Sequence, residues 1–315
     1  MSAFLFRRVL MFLATLIGAS VVIFVVLEVL PGNAAQTMLG PDATPQTVAA
    51  LAHKLGLDRP PVERYVSWIA GLAHGDFGLS YAYGTPIADL IENGLAVSLP
   101  LALLAMLLTT ALALGLGILA AAHHRRLGDL GAMTLSQVGI AVPNFWLAIL
   151  LILFFAVRLR WFAAGGFPGW DAGVGPALKA LVLPAVALAA VQAAILTRVI
   201  RAAVLDVMRE DFVRTARAKG LSRAAVLWRH VLRNALIPVV TIMGLQFANL
   251  VAGTVVVENV FYLPGLGRLV FQSIANRDGV VVRDAIMLLV VMVVAVNFLI
   301  DILYLVIDPR LRARR

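Results

Sequence analysis

Cysteine is absent from the 315-residue chain. That excludes a disulfide framework, a thiolate nucleophile and a thiolate metal site, and it identifies no compartment. Charge is scarce too: 14% of residues are Asp, Glu, Lys or Arg, against roughly a quarter in soluble domains. No glycine-rich loop ends in Lys-Ser or Lys-Thr, so the chain carries no phosphate cradle and no ATP site of its own. His-Glu-x-x-His and a carboxylate dyad are also missing, and no serine faces a histidine at matching depth, which argues against an intramembrane enzyme. His53 and His74 stand alone. His123 and His124 are adjacent, so on a helix they point about 100° apart. We therefore expect no metal site.

Apolar residues are what the chain has in abundance. They make up 62% of it, and mean hydropathy is +0.95. This is the composition of an integral membrane protein. A net charge of +9 raises nucleic acid as a partner. The basic residues, however, fall mainly in short loops and tails with no aromatic interleaving, so topology explains the charge and no nucleic acid is expected.

Six spans are readable, at residues 9–30, 98–122, 133–157, 181–200, 237–257 and 285–307. The first has 22 residues, or about 33 Å at ~1.5 Å per residue, enough for a bilayer core. It is longer than a signal-peptide core of roughly 7–15 residues, so we read a retained anchor, although Asn33-Ala34-Ala35 has the small residues of a cleavage site. Glu28 reads as a solvated boundary residue. The expected division is 1–97, a first helix plus an external excursion, and 98–315, a five-helix core. Within 31–97, two helical patterns at 45–55 and 60–74 each begin with proline. In the second span, Ala113, Gly115 and Gly117 allow a close helix approach. Pro143 should kink the third span. Six spans put both termini on one side. Seventeen Lys/Arg fall at the termini and the loops after spans two and four, nine on the other face, and six once the long excursion is set aside. The termini should be cytoplasmic.

The stretch at residues 209–238 stands out because it is too charged for a lipid core. Nine basic residues fall between Arg198 and Arg233, against three acids. Two helical pieces should meet at Gly220, which can take a left-handed conformation, with Ser222 capping the second. The sequence leaves two readings open: a solvated loop, or a docking elbow that passes force from a soluble partner. For the docking reading, Leu221, Val226 and Leu227 are the apolar anchors, and Arg217, Lys219 and Arg223 set register. In the fifth span, Gln246, Asn249 and Gly253 fall on one helical face. That stripe, with Asn297 in the sixth span, reads either as glue between helices or as the lining of a polar path. Asp301 is expected to pair with an arginine of the 310–315 tail. Arg277-Asp278 and Arg283-Asp284 are candidate local pairs.

The same residues carry a resemblance. Residues 211–241, DFVRTARAKGLSRAAVLWRHVLRNALIPVVT, resemble the coupling motif of binding-protein-dependent ABC transporter permeases, in their dipeptide, oligopeptide and nickel branch. Arg214, Thr215 and Ala216 occupy the triplet that is Glu-Ala-Ala in the general motif, Gly220 the glycine, and Pro238 the closing proline. Pro143-Asn144-Phe145-Trp146, Glu258 to Phe261 with Pro264-Gly265-Leu266-Gly267, Asn297-Phe298 and Asp308-Pro309-Arg310 also match that branch. The resemblance covers about residues 8–312.

It implies an all-α membrane fold with six transmembrane helices and a cytoplasmic coupling loop between helices 4 and 5. It also implies a permease subunit of an ATP-driven importer for peptides or peptide-like solutes, in a bacterial inner membrane. Arg214 to Arg223, with Val226 and Leu227, would contact the ATPase. Expected partners are a second homologous permease forming a heterodimer, two ATP-binding subunits that carry ATP and Mg, an external solute-binding protein, and membrane lipid. No cofactor is expected on this chain itself. The alternative is an ion-coupled secondary transporter, which would want inverted repeats and carboxylates near the midplane; no repeat is visible, and the acids sit near span ends. Which peptide-like or nickel-chelate substrate is carried is not written in the sequence.

Overall fold

The computed structural model describes residues 2–29, 34–40 and 42–307, without the side chains of 2–5, 34, 37, 38 and 303–307. Asn33, the Asp308-Pro309-Arg310 pattern and the arginine tail lie outside the described residues, and so does the pairing expected between Asp301 and that tail.

Long apolar runs become long helices. α1 (Ser2–Val29), α5 (Ile87–Ala122), α8 (Val174–Val207), α11 (Leu232–Val260) and α13 (Gly279–Ile307) each contain a stretch long and apolar enough to cross a bilayer. Counted as one broken span, α6 (Leu127–Ala141) and α7 (Asn144–Leu151), which continues to Arg158, would bring the number among the described residues to six; the two are bent by 100° at the break between them. The sequence pointed to a kink there, and the structure goes further. Val142 is extended (φ −91°, ψ 118°), as steric conflict with a following proline ring favours, so the helix stops and restarts. The chain is an all-α, multi-pass membrane protein.

By contact the chain forms two compact units, one holding Leu99–Tyr262 and the stretch from Ala295 onward, the other Ser2–Ser98 and Leu263–Val294. In the first, α8 is the spine: α11, α6 and α7 all pack along it. Its buried face is rich in alanine, including Ala185, Ala187, Ala189, Ala193 and Ala194. Small residues permit this closeness. A Cβ on Gly117 would lie 2.8 Å from Ile200 Cγ2, whereas one on Gly115 would meet nothing within 4 Å. Only Gly117 of that pair makes the close approach expected from the sequence.

In the second unit, which also holds α2 (Ala34–Leu39) and α12 (Leu266–Ala275), α4 (Pro61–Ala73) packs Trp68 and Tyr65 against Phe24 of α1 and Met287 of α13. α3 (Pro45–Lys54) starts where Thr44 Oγ1 accepts from the Thr47 amide at 3.3 Å, and both excursion helices match the expected patterns. Glu28, read as a solvated boundary residue, is exposed and pairs with Arg64 of α4. His53 pairs with Asp58 at 2.6 Å and thereby holds that carboxyl below its ordinary range. The Arg283–Asp284 pair forms, Nε to Oδ1 at 3.3 Å. Asp278 instead accepts from Ser80 Oγ at 2.6 Å and the Ala82 amide at 2.9 Å.

Candidate functional site

Between α8 and α11 the chain makes two short helices, α9 (Asp211–Ala218) and α10 (Arg223–Val226). Gly220 joins them at φ +84°, a conformation that costs most residues about 1–2 kcal/mol through contact of Cβ with the backbone. The Gly220 amide donates to Arg217 O at 3.0 Å and the Leu221 amide to Ala216 O at 3.4 Å, the paired bonds that close a helix C-terminus. Ser222 Oγ accepts from the Ala225 amide at 3.2 Å. Both local expectations at this elbow hold. After α10 a wide turn, Leu227–Val231, closes with the Leu232 amide on Leu227 O and feeds straight into α11.

The elbow has an apolar underside. Val213, Ala216, Val226 and Val231 are buried in one cluster with Leu196, Ile200 and Val204 of α8, Ala113 and Ala121 of α5, and Val239 of α11; Leu221 and Leu227 pack at its margin. Burying a valine side chain is worth about 1.5–3 kcal/mol and a serine cap about 1 kcal/mol. Packing therefore holds the elbow, and the cap sets where the second helix begins.

This geometry corrects one expectation. Val226 is 1% exposed, so it cannot be an anchor offered to another protein. Ala216 is likewise buried, and Leu221 and Leu227 are only partly open. The outward face carries Arg214, Thr215, Arg217, Lys219, Ser222 and Arg223, together with two aromatics that the sequence reading passed over, Phe212 (43% exposed) and Trp228 (65%). Their signal was their place opposite the apolar helical stripe, where an unpartnered ring has no reason to be. Arg214 Nη1 reaches Asp211 Oδ1 at 3.3 Å; at such exposure the pair contributes little.

Just above the elbow, Arg201 of α8 grips Asp129 of α6 with two nitrogens, Nε to Oδ1 at 2.5 Å and Nη2 to Oδ2 at 2.8 Å. The Arg125 amide at 2.9 Å and His124 Nδ1 at 3.2 Å complete the carboxylate's shell. The His123–Arg126 stretch is thus fastened to the helix that leads into the elbow. Among the described residues no cluster of His, Asp or Glu suits a metal ion.

The expected polar stripe of α11 divides. Gln246 is buried and donates from Nε2 to Gln192 O of α8 at 2.9 Å. A Cβ on Gly253 would lie 3.0 Å from Leu188 and 3.2 Å from Asn144. Gly244 comes close to Asn297 Oδ1, at 3.0 Å, and to Ile300 Cδ1, at 2.8 Å, by the same measure. Gln246, Gly253 and Asn297 thus sit where helices meet. Of the four, Asn249 is the one on an exposed face.

The elbow is thus a charged segment set on an apolar helical body between α8 and α11. Residues 113–313 match the family model described as "Binding-protein-dependent transport system inner membrane component". Residues 1–102 match the N-terminal model of the same system. The chain belongs to this family of permeases. It is a non-catalytic subunit of an ABC importer.

The permease is 40% identical over 99% of both chains to a Brucella abortus protein named as a peptide transport system permease. It is 38% identical, over 98% of both, to the glutathione transport system permease protein GsiC of Escherichia coli. It is 35% identical to the dipeptide transport system permease protein DppB of Alkalihalophilus pseudofirmus, over 99% of this chain and all of that one. Among solved structures, the inward-facing methionine ABC transporter MetNI matches with a TM-score of 0.58 at 18% identity, over 70% of the permease and 96% of that chain. An amino acid ABC transporter solved with histidines matches at 0.51 and 20%, over 69% and 93%. At these identities the likeness is one of fold.

Proposed function

We propose that this permease passes peptides or peptide-like solutes inward across a bacterial inner membrane, forming half of the path, and that residues 209–238 receive the force of ATP hydrolysis from an ATP-binding subunit. The carrying observation is the elbow, whose underside is locked into the body while arginines, a lysine and two aromatic rings face outward. Turning a gate from 1:99 to 99:1 takes about 5.5 kcal/mol of differential binding, within reach of a few aromatic and arginine anchors at about 2 kcal/mol each. Phe212 and Trp228 take the anchoring role first assigned to Val226; Arg214, Arg217, Lys219 and Arg223 set register. The peptide reading is supported by relatives named for peptide, dipeptide and glutathione transport.

Six crossings make a thin wall for a peptide-sized path, so the permease pairs with a second, related permease, with Asn249 turned toward the shared space. Two ATP-binding subunits carry ATP and Mg, and an external solute-binding protein delivers substrate to the face formed by residues 31–97 and 158–179. Both termini lie in the cytoplasm. The test is purification of the full-length permease carrying Trp228→Asp and Phe212→Asp. Loss of the copurifying ATPase, with normal membrane insertion, is expected; full retention together with normal peptide uptake would overturn the docking role. Uptake by the purified chain alone, driven by a proton gradient, would favour the ion-coupled alternative instead.

A further inference from the structure

The interruption of the third span leaves polar groups uncovered inside the unit built on α8. No side chain caps the restart at Asn144, so the first amides of α7 have no helical partner. Ala141, Pro143, Phe145 and Trp146 around the break are all exposed. The break lies within the depth of the spans. Asn144 Nδ2 is 3.2 Å from where a Cβ on Gly253 would stand, and Gly253 belongs to the apolar run 237–257 of α11. One helical turn away, near the middle of that run, Asn249 is exposed too. Among the described residues neither asparagine side chain makes a hydrogen bond. A turn deeper, the Oε1 atoms of Gln192 and Gln246 are buried without a partner.

Broken backbone and unpaired amides do not face hydrocarbon; at such depth they occur where protein covers them or water reaches them. Nothing in this chain covers Pro143 or Asn249, so that side is turned away from lipid. Its chemistry narrows the occupant. Residues 133–157 and 237–257 hold no Asp, Glu, Lys or Arg, and their polar side chains are amides and hydroxyls. An amide offers a donor and an acceptor together and carries no charge. It complements a peptide group whatever the neighbouring side chains are, and it holds neither charged end of a peptide.

We propose that the break at Val142 and Pro143, with Asn144 and Asn249, is a station of the translocation path that bonds the backbone amide groups of a peptide in transit. This rests on the import reading above and adds to it the chemistry by which the membrane part touches its cargo. Contacts of this kind are weak one by one and are exchanged along the chain, which suits a site that must release what it binds.

The experiment uses the full permease, which has no cysteine of its own, assembled with its companion subunits in liposomes with the external binding protein. Asn249→Cys, Asn144→Cys and, as an exposed apolar position of α1, Val22→Cys are treated during ATP turnover with a hydrophilic methanethiosulfonate, and modification of this chain is followed by mass. Reaction at the two asparagine positions should be at least about tenfold faster than at Val22, because water-free surroundings raise a thiol's pKa and deplete its thiolate. A saturating tripeptide should slow it at both. Reaction at Asn249 no faster than at Val22 would set that face against lipid or a second permease and overturn the proposal. Fast reaction that the tripeptide leaves unchanged would make it a water pocket off the path, and overturns it equally. Should Asn144→Cys not be recovered folded, Ala252→Cys, exposed beside Gly253, is read in the same way. In uptake, Asn249→Leu should lower the maximal rate for a tripeptide about fivefold, the loss of one hydrogen bond, and Asn249→Gln should restore it; unaltered uptake by Asn249→Leu counts against the station. A wild-type complex that takes up no peptide with ATP would instead remove the import reading itself, which separates the two failures.

Discussion

Gly220 shows what one position can determine. Its φ of +84° is costly for a β-branched side chain, so Gly220→Val should destabilise the elbow by about 1–2 kcal/mol and weaken ATPase copurification, while a glycine-like Gly220→Asn should be milder. Asp129 is a second such position. Asp129→Asn removes the charge that two Arg201 nitrogens grip, and a charge-assisted hydrogen bond of this kind is worth about 1.5–3 kcal/mol. A lower thermal midpoint of the detergent-solubilised protein should report the loss. Arg201→Lys should not substitute, because an ammonium cannot reproduce the two-pronged geometry.

Elements obey a different logic from residues. A helix such as α11 is held by close fit along α8, so Gly253→Leu, whose first added carbon already falls 3.0 Å from Leu188, should cost about 1–3 kcal/mol by overpacking; the same thermal measurement checks it. What the sequence made legible at this scale was local. Gly220 and Ser222 declared the elbow because a left-handed turn and a capping hydroxyl are decided within a few residues. Val226 was misread because helical spacing shows that an apolar face exists, not whether that face meets its own protein or another. Asp129 and Arg201, 72 residues apart, gave no sequence signal of meeting. Gln246 was ambiguous for a related reason: an amide three residues from Asn249 shares its face in projection, yet α8 covers one and leaves the other open. Pro143 marked a disturbance, and its size depended on how Val142 would relieve the clash.

For the whole molecule the six-crossing order makes a prediction that the absence of cysteine renders simple to check. A single cysteine placed at Arg217 should react with a membrane-impermeant maleimide only from the cytoplasmic side, and one placed at Lys54 or Asn276 only from outside. Reversed labelling would place the elbow away from any cytoplasmic motor. The hydrophobic pattern made the five long apolar helices legible in advance, since apolar length fixes where a chain enters lipid. It carried no information on the contact by which residues 263–294 join the first hundred residues.

The bond from Trp68 Nε1 to Asp284 Oδ1, 2.6 Å long, links residues 216 positions apart. During synthesis the first span and its external α4 companion must wait for α13 before Trp68 and Phe24 meet Met287. A chain truncated after the fifth span would therefore present an unfinished amino-terminal half to membrane proteases, so the integrity of the first helix depends on the arrival of α13.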